Sequence, residues 1–146
     1  MIFNVFPYQG VNDLNLGMKR QEIRDILGVS NLSKEFRRST TSENTIDAYY
    51  SLGVFVNYDK DDNCIYFEFF QPAKVFLGSH ELFSLSYKNL IEIIGLQDKK
   101  IVEDDSGFSS FELGVGVYTP DKVDEPDRAV EGIIVFKKGY YGQQNT

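Results

Sequence analysis

Hydrophobic residues recur along this chain with two different periods. Met18, Ile23, Ile26 and Leu27 follow one another at spacings that share a helical face, and the run stops at Gly28. Sixty-seven positions later Leu85, Leu90, Ile93 and Ile94 repeat the arrangement, and Gly95 stops it. A glycine just past the last apolar position suits the left-handed residue that ends a helix. Ser86 offers an oxygen to the unpaired amides that open the second helix, whereas Lys19 occupies the matching place in the first and offers none. Two short helices are predicted, both dependent on packing for their stability.

Between and after these runs the period falls to two. Tyr50–Tyr58 and Phe111–Tyr118 alternate as half-buried antiparallel strands do, and Leu52-Gly53-Val54 matches Leu113-Gly114-Val115. An acidic turn follows each, at residues 59–63 and 119–127, and then a further strand, Ile65–Phe70 and Ile133–Phe136. Residues 35–41 and 108–111 supply one more strand apiece, and the N-terminal residues read as a strand. The order of helix, Leu-Gly-Val strand, acidic turn and strand occurs twice, which predicts duplication. The fold expected is α+β: one domain over residues 1–146 made of two tandem helix-plus-antiparallel-meander repeats, 1–74 and 75–146, with helices packed on one face of the sheet or sheets.

The stretch Leu16-Gly-Met-Lys-Arg-Gln-Glu-Ile-Arg-Asp-Ile-Leu-Gly28 resembles the L-x-G-M-[ST]-x-x-E-V-x-x-x-L-G opening of the β-lactamase-inhibitor-protein-like superfamily, with Lys19 in place of Ser or Thr. That resemblance implies a helical hairpin on an antiparallel sheet, often in tandem copies, and a role in binding other proteins. The ending, Gly116-Val-Tyr118, Glu131-Gly-Ile-Ile-Val-Phe136 and Gly139-Tyr-Tyr141, resembles cytosolic bacterial members of unassigned role. An inhibitor or immunity role is connected to this chain by fold analogy alone.

Charge and composition narrow the classes. Of 146 residues, 22 are acidic and 15 are Lys or Arg, giving a net charge of −7, so the basic stripe that nucleic-acid binding needs is not expected. One Cys and one His argue against a disulfide framework and a zinc site. The N-terminus lacks the basic and apolar regions of a signal peptide, and no window approaches a membrane span; a cytoplasmic protein is expected.

No sequence pattern marks a catalytic centre. Phosphate-binding glycine loops and the G-x-S-x-G elbow are missing. His80 sits in a Gly-Ser-His-Glu turn with no assignable nucleophile, and Cys64 begins a strand beside an acidic turn that works against thiol reactivity. Asp59, Asp61 and Asn63 imitate the start of a calcium loop, but Cys64 and Phe70 stand where it requires Gly and Glu. A hairpin turn is the simpler reading. No cofactor and no enzymatic activity are expected.

The aromatic content is the stronger signal, with 12 Phe and 9 Tyr but no Trp. Alternation puts Tyr50, Leu52, Val54, Val56 and Tyr58 on one face of their strand, with Phe111, Leu113, Val115 and Val117 to match, and these sets should meet the helices. Tyr49, Phe55, Tyr66, Glu68, Phe70, Tyr118, Ile134 and Phe136 are then left on the opposite face. Aromatic side chains mixed with acids suit a protein-binding surface. The expected function is non-enzymatic binding of a protein partner, with a basic one favoured by the 13 acids against 8 bases of residues 68–146. Two other readings share the face: a homo-oligomer, or at least a homodimer, using it against itself, and a small-ligand or enzyme pocket near Tyr118, Glu68 and His80.

Overall fold

The structure, a computed structural model, describes residues 1–140. The chain opens with β1 (Ile2–Phe6), β2 (Gly10–Val11) and β3 (Leu14–Asn15), followed by α1 (Arg20–Leu27). Four strands come next, β4 (Lys34–Phe36), β5 (Ile46–Tyr49), β6 (Val54–Tyr58) and β7 (Cys64–Phe69). After β8 (Lys74–Leu77) and β9 (His80–Glu81) lies α2 (Tyr87–Gly95), and then β10 (Val102–Asp104), β11 (Gly107–Ser110), β12 (Val115–Tyr118) and β13 (Gly132–Phe136). The fold is mixed α+β and is dominated by antiparallel sheet.

Eight strands form the larger sheet, in the order β10-β11-β12-β13-β7-β6-β5-β4, with every neighbouring pair antiparallel. At its centre β13 lies beside β7, matching Ile134 to Glu68 and Phe136 to Tyr66. A smaller sheet, ordered β3-β2-β1-β8-β9, is held together by parallel pairing of β1 with β8. Only β1 of this second sheet is predicted above: β2, β3 and β9 are two-residue segments with no readable period, and the four-residue β8 crosses the expected boundary between the repeats at residues 74 and 75.

One apolar cluster joins the parts. Val54, Val56, Phe67, Phe69, Val115, Val117, Ile133 and Val135 project from one face of the large sheet into it. Ile23 and Leu27 of α1, Leu90 and Ile94 of α2, and Phe3, Val5 and Val75 of the small sheet reach the same cluster. Each such side chain, fully withdrawn from water, contributes about 1.5–3 kcal/mol. The helix signals hold except at two places. Ser86 Oγ accepts from the Asn89 amide at 3.1 Å, and Gly28 sits at φ 92° after α1. Gly95, expected just past the second helix, is its last residue; α2 closes in a tighter turn in which the Leu96 amide donates to Ile93 O. Ile26, expected on the packed face, is exposed, and Arg20 takes a buried position on the same helix.

The hairpins correct the face assignment. Residues 50–53 form a turn with Gly53 at φ 76°, so β5 and β6 pair Tyr49 with Val54. Alternation does not run through a turn. Tyr49 therefore lies on the helix side, fully buried, while Tyr50 emerges and its ring meets Phe55 and Phe70. The same holds in the later hairpin: Phe111 belongs to the turn between β11 and β12, and its ring contacts Phe136 rather than the core.

Candidate functional site

The face of the large sheet turned away from the main cluster is not flat. Across its middle runs a recess of about 620 Å³, lined by Tyr66, Glu68, Phe69 and Phe70 of and after β7, Gly132 and Ile134 of β13, Tyr118 of β12, and Arg38, Glu131 and Tyr140. Small residues create its floor. Gly132 stands opposite Tyr118, and Gly116 opposite Ile134, so two of the positions that would fill the groove carry no side chain. A Cβ at Gly132 would lie 3.4 Å from the Tyr118 Cβ, in space the tyrosine now uses.

Five of the eight expected surface residues meet here: Tyr66, Glu68, Phe70, Tyr118 and Ile134. Phe55 extends the groove without lining it, its ring centre 4.8 Å from that of Phe70 and 5.4 Å from that of Phe36. Phe136 is on the expected face but is wholly buried, with the rings of Tyr8, Phe111 and Tyr140 at 6.1, 6.0 and 6.2 Å. Tyr8 reaches this position by a left-handed backbone at φ 61°, and its hydroxyl donates to Phe111 O. Tyr49 belongs to the other face, as described above. His80 lies on β9 in the small sheet, exposed, and is not among the residues lining the recess. Tyr141 of the C-terminal pattern lies outside the described residues.

Arg38, Glu131 and Tyr140 are functional candidates that pattern reading missed. Arg38 follows β4 in an irregular polar loop, and Glu131 and Tyr140 flank β13, so no period points them at the groove. Arg38 Nη2 donates to Glu68 Oε1 at 2.9 Å, half-exposed, and forms one rim. The rings of Tyr66 and Tyr140 approach to 4.9 Å. Burial, and then the neighbouring Tyr140 and Glu68, push the Tyr66 phenol well above its ordinary pKa, so it remains protonated and able to donate. The Glu131 carboxylate makes no hydrogen bond or ion pair within 4 Å among the described residues.

A second, smaller recess of about 250 Å³ adjoins the first and shares Arg38, Tyr66 and Tyr140 with it. Asn57 of β6, paired with Tyr66 of β7, is buried within its lining. The two recesses together carry Glu43, Glu68 and Glu131 against Arg38, an acidic aromatic channel.

Other candidate chemistry resolves into structure. Cys64 is buried, and burial drives its thiol pKa far upward. Asp59 Oδ1 accepts from the Asp61 and Asn63 amides, both at 2.9 Å, and so organises the hairpin turn between β6 and β7. Among the described residues no helix is long and apolar enough to cross a membrane. No protein-family model, no curated protein and no solved structure matches this chain.

Proposed function

We propose that this protein is a non-enzymatic binding module that holds a protein partner in the acidic aromatic groove of its large sheet. The observation that carries the reading is the convergence of Tyr66, Phe70, Tyr118, Ile134 and two carboxylates on one recess. Exposed aromatic side chains supply contact area with few rotatable bonds, and the flanking acids steer and orient a basic surface. Tyr118 is 46% exposed, an open position for a residue that size on the rim of a groove.

The duplicated organisation belongs to the same proposal. The large sheet reads as two four-stranded meanders, β4–β7 and β10–β13, joined through their last strands, each preceded by a helix. That order supports tandem units over 1–74 and 75–146, as the superfamily resemblance implies. The groove then straddles the junction of the two units, where β13 meets β7. A cytoplasmic setting fits the buried, reduced Cys64.

The recess volume also falls in the range of small-ligand sites, which keeps a ligand-binding reading in play. Affinity capture with the wild-type chain, Tyr118→Ala and Glu131→Lys separates these readings. A stoichiometric protein recovered by wild type and lost by both variants supports partner binding. Equal recovery by all three, or a soluble monomer that captures nothing, overturns it. Light scattering that shows a dimer broken by either variant assigns the face to self-association.

A further inference from the structure

Among the described residues two buried side-chain polar atoms have no hydrogen-bond partner, Tyr49 Oη and Asn57 Nδ2. Such groups lose their hydration without compensation and destabilise the fold that contains them. Tyr49 is wholly buried in the apolar cluster and lines neither recess. Asn57 differs. It is 5% exposed, stands on the groove face of β6, and lines the smaller recess that continues the groove past Arg38, Tyr66 and Tyr140.

We propose, resting on the partner-binding reading above, that the groove takes an extended basic segment of a partner polypeptide and that Asn57 reads the main chain of that segment. A carboxamide carries a donor and an acceptor side by side in one plane. It therefore matches the C=O and N–H that one extended residue presents, whichever way the amide is turned. Neither a phosphate nor a carboxylate offers that pair. The occupant's charge follows from the channel: among the described residues three carboxylates and one guanidinium line the two recesses, and that guanidinium is already paired with Glu68. Lys or Arg side chains beside Glu131 and Glu43 complete the match, with aromatic rings against their alkyl stems. The segment's side chains occupy the larger recess while one of its peptide groups meets Asn57 in the smaller.

The test begins with display of random dodecapeptides against the full-length immobilised protein, and the enriched peptides then serve as probes. Expected are Lys- or Arg-rich sequences whose binding is lost with Tyr118→Ala. Asn57→Ala should weaken them about tenfold, in keeping with the loss of two neutral hydrogen bonds. Replacing single peptide amides by esters should reveal one position where the ester costs wild type a similar factor and costs Asn57→Ala nothing further. Asn57→Leu provides the folding control, and it should melt no lower than wild type because it removes an unpaired amide. If Tyr118→Ala abolishes binding while Asn57→Ala binds within twofold of wild type, or every ester is additive with it, the Asn57 assignment fails and the groove stands. If Asn57→Leu melts far below wild type, Asn57 is structural and the assignment fails. If no peptide enriches, or the enriched ones ignore Tyr118→Ala, the groove reading itself falls and takes this inference with it.

Discussion

Arg20 Nη1 donates to Asp47 Oδ1 at 2.9 Å beneath the large sheet, the carboxylate fully buried and the guanidinium nearly so. The same carboxylate takes Arg24 Nε at 2.8 Å and Nη2 at 2.7 Å, and the Tyr58 ring lies 4.1 Å below the Arg20 guanidinium. One anion thus ties α1 to β5 through two successive turns of helix. The arrangement explains how a helix with a single acid near its start and no N-terminal side-chain cap is nevertheless fixed in place.

Removing the Asp47 charge leaves two neighbouring guanidinium groups with only their partly exposed partners, Asp62 for Arg20 and Glu35 for Arg24. Asp47→Asn is expected to cost about 3–5 kcal/mol in urea denaturation, the range for breaking a buried pair from one side. Arg128→Ala, which breaks only the exposed contacts to Asp121 and Glu125, should leave the midpoint unmoved. Equal effects from the two variants would remove Asp47 from its organising position.

Acid should loosen this region. The Thr45 hydroxyl, and then Arg24, hold Glu35 below its ordinary range; the Asn44 amide, and then Arg20, do the same for Asp62. A carboxyl lowered in the folded state binds fewer protons there than in the unfolded chain. Its contribution is present above the unfolded value near 4 and is lost as pH falls through the folded one. The melting temperature is expected to hold between about pH 7 and 5 and to fall below about pH 4. Asp62→Asn should show a shallower fall, measured by circular dichroism across the series.

The alkaline limit follows from tyrosines. Burial, and then Asp47, raise Tyr49 to about 12 and carry Tyr58 higher still. A phenol raised in the folded state contributes stability that is complete below the unfolded value near 10 and is lost as pH climbs through the folded one. Tyr49→Phe should flatten the decline between about pH 10 and 12. At neutral pH it should be neutral or slightly stabilising, because the hydroxyl it removes has no partner among the described residues.

Two glycines with similar dihedral angles should respond differently to alanine. Gly78 (φ 61°) has open space around it, so Gly78→Ala carries only the left-handed penalty of about 1–2 kcal/mol. Gly53 (φ 76°) would place a Cβ 2.3 Å from Phe70 O and 2.6 Å from the Ala73 amide nitrogen. Gly53→Ala is expected to cost roughly 3–5 kcal/mol as clash adds to strain. Comparable losses at the two sites would show that the β5–β6 turn can shift.

These positions also mark what the chain order made legible. The apolar period placed both helices, and Ser86 and Gly28 announced two of their four ends, because capping is local chemistry. Alternation placed β6, β7, β12 and β13 for the same reason. It failed at Tyr49 and Tyr50, where a four-residue turn reverses the chain, and at β1 with β8, whose pairing joins residues about seventy positions apart. Arg20 was hidden for a related reason: its partner lies twenty-seven residues on, so the helix pattern alone marks it as a solvent-facing cation. The groove was half visible. Its strand residues alternate, but Arg38, Glu131 and Tyr140 enter from segments with no period.

Arg38 supplies a direct test of charge recognition in the groove. Among the described residues it is the one cation lining either recess, and its bond to Glu68 occupies a carboxylate that a basic partner would use. Arg38→Ala removes a like charge and frees Glu68, at a rim where each ion pair is worth less than about 1 kcal/mol. The expected result is two- to fivefold tighter binding of a Lys-rich peptide selected on the wild-type chain, roughly the factor that energy allows. Because the added attraction is between exposed charges, the gain should shrink as salt rises from about 0.05 to 0.5 M and the screening length contracts. Glu131→Gln should act in the opposite direction with the same salt dependence. Anisotropy titrations of the labelled peptide against both variants measure the effect. Unchanged affinity in both would leave recognition to the aromatic and main-chain contacts and remove the case for a basic partner.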